Sequence, residues 1–202
     1  ISFGLAADFS PGGIFVPNST FDTFNNKIVV VYADSTDSQK GYAAVGTVSG
    51  TDISFGTPVV FYSAGAMYEE MSLVFDSNSN KVVIAYQNFS ESSGYISVGT
   101  VSGTSISFGD AVMFDSKSEY ISAAFDSVNN KVVVSYALTN DTLKGYSVVF
   151  GNQTPAELGF TSTPNMTSAF DISTVVNGNT DTQLVTASGT QSTQFDMTPD
   201  GK

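Results

Sequence analysis

Short apolar runs, rich in Val, Ile, Phe and Tyr and closed by Gly, Asn, Asp, Ser or Thr, recur along this chain at an interval of about 50 residues. Phe21-Asp22, Phe75-Asp76 and Phe125-Asp126 each lead into Asn-Lys, at Asn26-Lys27, Asn80-Lys81 and Asn130-Lys131. A β-branched run ending in tyrosine follows each time, and Gly41-Tyr42, Gly94-Tyr95 and Gly145-Tyr146 come next in register. Ile-Ser-Phe-Gly starts at Ile1, Ile53 and Ile106. Repeats of this length indicate propellers, solenoids or arrays.

The unit from Phe75 to Phe125 predicts four strands. Residues 81–87 carry apolar side chains on both alternating faces, the pattern of a strand covered on both sides. Residues 95–101 form the second strand, and Ser102-Gly103-Thr104 the turn after it, where glycine accepts the positive φ of a hairpin. Residues 106–114 form the third, bent or bulged near Gly109, and 120–125 the fourth. Phe9, Phe61 and Phe114 each lie five residues beyond the glycine of Ile-Ser-Phe-Gly, a regularity that points to stacked, interchangeable sheets. No sustained 3.6-residue period survives the interrupting Ser, Thr, Asn and Gly, so no helix is expected. The fold class predicted is all-β, a β-propeller-like repeat of four-stranded antiparallel blades with about three and a half blades visible.

The expected organisation is a partial blade at 1–21 contributing two strands, blades at 22–75 and 76–125, a longer divergent blade at 126–195, and the start of a further unit at 196–202. The third copy breaks the pattern after Phe150, where Gly-Asn-Gln-Thr-Pro replaces Gly-Thr-Val-Ser-Gly, and 161–189 is rich in Ser, Thr and Asn. Because the chain opens and closes inside the repeat, it is expected to be part of something longer. The missing blades then lie in further sequence or in a second copy that completes the ring.

Composition narrows the chemistry. Among 202 residues there is no Cys, His, Trp or Arg, so thiolate and imidazole metal sites, Ser-His and Cys-His nucleophile pairs and guanidinium clamps are excluded. The 19 acidic residues outnumber 7 lysines, and the formal charge of -12 repels nucleic acid and anionic membranes. The apolar runs are too short to span a bilayer as helices. No cofactor is expected, and the lack of cysteine leaves the redox compartment open.

The string Gly-Thr-Val-Ser-Gly-Thr-Ser-Ile-Ser-Phe-Gly at 99–109, preceded by Lys-Val-Val-Ile-Ala-Tyr at 81–86, resembles propeller-like repeats in structural or tail-fibre-like proteins of marine phages and marine metagenomes. The segment from Thr167-Ser168-Ala169-Phe170-Asp171 to Phe195-Asp196 looks like a second repeat class from the same sources. The resemblance implies a structural or recognition module on a virion or extracellular surface, without catalytic residues, whose partners are other virion or surface proteins or a glycan.

Several motifs admit a sharper reading and a plainer one. Asp76-Ser77-Asn78-Ser79-Asn80 opens like a calcium loop, but Lys81 follows where glycine is needed and no acid closes it. An Asp-capped turn with Asn in the left-handed region explains it and its sister loops, so no metal is expected. Glu69-Glu70, with Asp76 and Glu119, suggests the paired carboxylates of a glycoside hydrolase, yet adjacent glutamates on a strand face opposite ways, and solvated charge is the favoured reading. Sequons at Asn18, Asn88, Asn140, Asn152 and Asn165 arise readily by chance in so Asn-, Ser- and Thr-rich a chain.

Comparing the copies gives the most useful signal. If four strands run alternately up and down, the first-to-second and third-to-fourth loops share one rim. Loops 34–40, 87–93 and 138–144 differ from one another, as do 63–69 and 115–119, while the loops of the opposite rim are nearly uniform. The unlike rim is the expected binding face, with Asp34, Asp37, Tyr68, Glu69, Asn88, Phe89, Glu91 and Tyr120 as candidate contacts.

Overall fold

A computed structural model describes residues 2–67 and 71–151 of the chain. The expected all-β character holds, with antiparallel sheets throughout and no helix among the described residues. The first sheet comprises β1 (Ile14–Asp22), β2 (Lys27–Asp34) and β3 (Lys40–Ser49), with the short β4 (Asp52–Phe55) and β5 (Val59–Tyr62) both on the far edge of β3. The second repeats this with β6 (Met71–Asp76), β7 (Lys81–Asn88), β8 (Ser93–Ser102), β9 (Ser105–Phe108) and β10 (Val112–Asp115). The third has β11 (Ser118–Asp126), β12 (Lys131–Leu138) and β13 (Lys144–Phe150) among the described residues.

Each four-strand prediction for the second unit is matched by a strand, and the bend at Gly109 appears as the break between β9 and β10. Hydrogen bonding groups the strands in a different phase from the sequence unit. The strand that closes one unit, such as β6 with Phe75-Asp76, pairs with the first strand of the next, Asp76 opposite Lys81. The tight turn between them explains this: Asp22, Asp76 and Asp126 each accept the main-chain N–H groups two and three residues on, and Asn26, Asn80 and Asn130 take φ of 55°, 56° and 55°. These are the capped turns that the sequence favours over calcium loops, and the second carboxylate oxygen is spent on Asn25, Ser79 or Asn129. Gly50 and Gly103 supply the positive φ of the β3–β4 and β8–β9 turns.

The core lies between sheets stacked face to face. Val82, Ile84 and Tyr86 point into a cluster with Val29, Val31, Ala33, Ala43 and Val45 of the first sheet. Val83, Ala85 and Ile96 point the other way, onto Val132, Val134 and Tyr136 of the third. That two-sided burial is why 82–86 reads as an unbroken apolar run, each residue 1% exposed or less. The β12 strand instead alternates in burial, because among the described residues no further sheet covers the face of Val133 and Ser135; Ser135 stands where Val31 and Ala85 stand in the other sheets and bonds across to Ser147 at 2.9 Å. First strands adjoin first strands, β1 beside β6 and β6 beside β11, where Asn18 donates to the Met71 carbonyl at 3.1 Å and Ala123 N–H to Ser72 Oγ at 2.8 Å.

The regular phenylalanines are the seams. Phe61 meets Tyr86 at 5.4 Å between ring centroids, and Phe114 meets Tyr136 at 5.1 Å. Phe9 meets Tyr32 at 5.4 Å in the same way. Residues 2–13 carry no strand of their own, yet they lie on the first sheet as a third strand of a preceding unit does on its neighbour. Of the two strands expected before Phe21, β1 alone forms. The divergent remainder of the third unit, the second repeat class and the unit beginning at 196 lie outside the described residues.

Candidate functional site

The two families of unlike loops do share one rim, and main-chain hydrogen bonds link them in sequence around it. Gln39 accepts from Met67 N–H at 3.0 Å, Ala66 from Phe89 at 3.3 Å, Ser92 from Ser118 at 2.8 Å and Lys117 from Thr139 at 3.3 Å. The β2–β3, β7–β8 and β12–β13 loops therefore alternate with the connections that enter β6 and β11. Bulges mark the same edge: the register slips between Phe15 and Asn18 and between Glu119 and Ser122, with Val16 at φ 44° and Tyr120 at φ 55°. Left-handed backbone is costly for side chains of this size and is held there by the paired strand on either side.

The loops are less unlike than their sequences. In both β2–β3 and β12–β13 the residue opening the loop accepts main-chain bonds from the third and fifth residues on, at 3.3 and 2.9 Å from Asp34 and 3.3 and 3.1 Å from Leu138. Two successive residues take positive φ in each, Ser38-Gln39 and Thr142-Leu143. Both then build the same side-chain cluster. Tyr42 donates to Asp37 at 2.5 Å and Lys40 pairs with it at 2.9 Å, while Tyr146 donates to Asp141 at 2.6 Å and Lys144 pairs at 3.0 Å. These bonds hold the carboxyls of Asp37 and Asp141 below the usual carboxylate range, the tyrosine contributing more than the lysine. Reciprocally, Asp37 pushes the Tyr42 hydroxyl up to about 12. The signal was present in sequence as Asp-x-x-Lys-Gly-Tyr at 37–42 and 141–146. In the middle copy Glu91 replaces the aspartate, and Tyr95 donates to it at 3.1 Å.

The rim sorts the expected contact residues. Asp34 and Asn88 are buried, at 2% and 3% exposure, so neither offers a free side chain as expected. They occupy equivalent positions and their oxygens cap the loop, Asp34 accepting from Thr36 N–H at 2.7 Å and Asn88 from Ser90 N–H at 3.1 Å. Asp37 and Glu91 are reachable but committed to their tyrosines. Phe89 and Tyr120 are exposed, at 54% and 66%. Tyr68 and Glu69 lie outside the described residues. The burial of Asn88 and the bond from Asn18 to Met71 also remove two of the sequons from consideration as accessible acceptors.

Two recesses differ in chemistry. One, of about 470 Å³ on the uniform rim, is lined by Thr20, Phe21, Thr23, Leu73, Val74, Phe75, Ser77 and Phe125, with no ionisable group. The other, of about 440 Å³, opens on the unlike rim between β5 and the β7–β8 loop, where aromatic rings and polar groups converge. The paired-carboxylate arrangement is not brought together by Asp76 and Glu119: Asp76 ends its strand at the uniform rim and Glu119 begins its strand at the other. Among the described residues no helix is long and apolar enough to cross a membrane. No model of a known protein family matches the chain, and no curated protein matches it.

Proposed function

We propose that the chain is a propeller-type repeat scaffold serving as a non-enzymatic structural or recognition module, and that it meets a glycan or protein partner through the unlike rim. The continuous hydrogen-bonded rim carries this reading. It fixes the loop backbones of successive units to one another through main-chain groups and leaves side chains such as Phe89 and Tyr120 exposed on the rim, which is how repetitive scaffolds combine rigidity with specificity. A blade-like assembly is supported by the recurrence of one seam, Phe on Tyr, from unit to unit and by the adjoining first strands. A virion or cell-surface setting follows from the resemblance of the repeats, and multiple copies on a particle would multiply weak contacts.

Loop grafting tests the reading. Replacing 89–92 with the turn sequence of 23–26 should leave the circular dichroism spectrum and melting transition in place and abolish binding on an array of surface glycans and host-surface extracts. Unchanged binding after the graft removes the rim from consideration.

A further inference from the structure

We infer that the cleft between β5 and the β7–β8 loop is a binding site for an uncharged, hydroxyl-bearing ring of monosaccharide size, with the Tyr62 hydroxyl as one of its hydrogen-bonding groups. This rests on the reading of the unlike rim as a recognition face and names the ligand class for one place on it. The cleft, of about 440 Å³, falls in the range of small-molecule sites. Phe61, Tyr62 and Tyr95 give it aromatic walls, with the rings of Tyr62 and Tyr95 at 6.5 Å and 35° to each other. Asp110 and Glu91 supply carboxylates around them, the second already accepting from Tyr95, and Asn88, its oxygen held by Ser90 N–H, completes the polar lining.

Tyr62 is the observation that points to a ligand. It is 7% exposed, and its hydroxyl has no hydrogen-bond partner in the structure. A buried unpaired hydroxyl loses its bonds to water and gains none in return, so its persistence calls for a reason. The neighbouring seams show what this position otherwise does. At the equivalent place Asp115 accepts from Tyr136 at 3.1 Å, while Ser10 Oγ donates to the Gly12 carbonyl at 2.9 Å and Tyr32 to the Phe9 main-chain oxygen at 3.4 Å. In both, the outer side chain and the buried tyrosine of the next sheet each find a partner. At the Tyr62 seam the buried Tyr86 turns instead to Ser97, at 3.2 Å within its own sheet, and Tyr62, a residue of the cleft lining, is left with a buried, unpaired hydroxyl.

The chemistry of the walls selects the class. Aromatic faces pack the C–H face of a sugar ring, while carboxylate oxygens accept from its hydroxyls and Tyr62 donates or accepts. Glu91 and Asp110 carry the charged groups of the lining, and no lysine is among them, so sulfated and sialylated sugars are disfavoured. Lys117 stands near, donating to the Glu91 main-chain oxygen at 3.3 Å, and is thereby held outside the lining.

The experiment measures binding of the intact chain, Tyr62→Phe and Asp110→Asn to an array of neutral, sialylated and sulfated oligosaccharides, followed by calorimetric titration of the strongest neutral sugar. Neutral sugars should bind in preference to anionic ones, and Tyr62→Phe should weaken binding up to about tenfold with an unchanged or higher melting temperature. A lower melting temperature in Tyr62→Phe, an affinity in both variants equal to that of the unaltered chain, or preference for anionic sugars overturns the assignment. Binding that survives Tyr62→Phe and Asp110→Asn but is lost on grafting 89–92 refutes the cleft and keeps the rim. Binding indifferent to all three changes refutes both.

Discussion

Phe61→Ala attacks the seam on which the stacking of sheets depends. Phe61 is 9% exposed and lies against Tyr86 at 5.4 Å and Phe108 at 5.6 Å, inside the cluster shared by the first and second sheets. An aromatic side chain buries about 150–250 Å², which at about 25 cal/mol per Å² amounts to about 4–6 kcal/mol. Residual structure in the unfolded chain lowers that by about 10–40%, leaving about 3–5 kcal/mol, the usual cost of removing a core phenylalanine. For a domain of this size each kcal/mol moves the melting temperature by about 2–4 °C, so a drop of about 6–20 °C is expected. Urea unfolding followed by circular dichroism and tyrosine fluorescence supplies the free energy. Phe24→Ala, at a turn residue 67% exposed, is the control and should change stability by no more than about 0.5 kcal/mol. A loss below about 1 kcal/mol in Phe61→Ala refutes the seam, and a fall in the urea slope with two separate transitions refutes a cooperative stack.

Two further outcomes follow from the turns and tyrosines. Asp76→Ala strips two main-chain N–H groups and the Ser79 hydroxyl of their acceptor and should cost about 1–3 kcal/mol by urea unfolding. Added calcium should not move the melting temperature of the unaltered chain, and a rise of several degrees would contradict the capped-turn account. Stability should fall at both ends of the pH scale. Asp37, Asp126 and Asp141 are held below their ordinary 3.8, so their contribution is complete above about pH 4 and is lost as the pH falls through their lower folded values. Tyr42, Tyr62 and Tyr86 are pushed up to about 12 from 10.0, so their contribution is complete below pH 10 and is lost between 10 and 12. Urea midpoints measured across pH should be level between those limits, and a midpoint that climbs from pH 10 to 12 would contradict the tyrosine environments.

The repeat made the strands legible because their burial is local and periodic. Residues 81–87 announced a strand covered on both sides, and β7 is one. Which strands share a sheet was not legible, since a fourfold meander reads the same in any phase and only the Asp22, Asp76 and Asp126 turns decide it. The loops misled in the opposite direction. Gln39 and Leu143 share no chemistry, yet each takes, with the hydroxyl residue before it, the same left-handed pair because the bonds that close the loop are main-chain. Asp34 and Asn88 looked like ligand groups since a polar residue after a strand is usually solvated, whereas here each is folded back onto its own loop. Tyr62 gave no signal, because its peculiarity lies in the partners that Ser10 and Asp115 find and it does not.

The most direct test of the recognition rim compares exposed apolar residues at its two opposite edges on one glycan array. Phe89 stands on the unlike rim, and Phe24 and Val128 on the uniform one, at 54%, 67% and 85% exposure. Phe89→Ala should reduce binding while Phe24→Ala and Val128→Ala leave it intact, all three chains keeping the same melting temperature. Loss of binding in Phe24→Ala or Val128→Ala with full binding in Phe89→Ala would place recognition on the other edge and contradict the account.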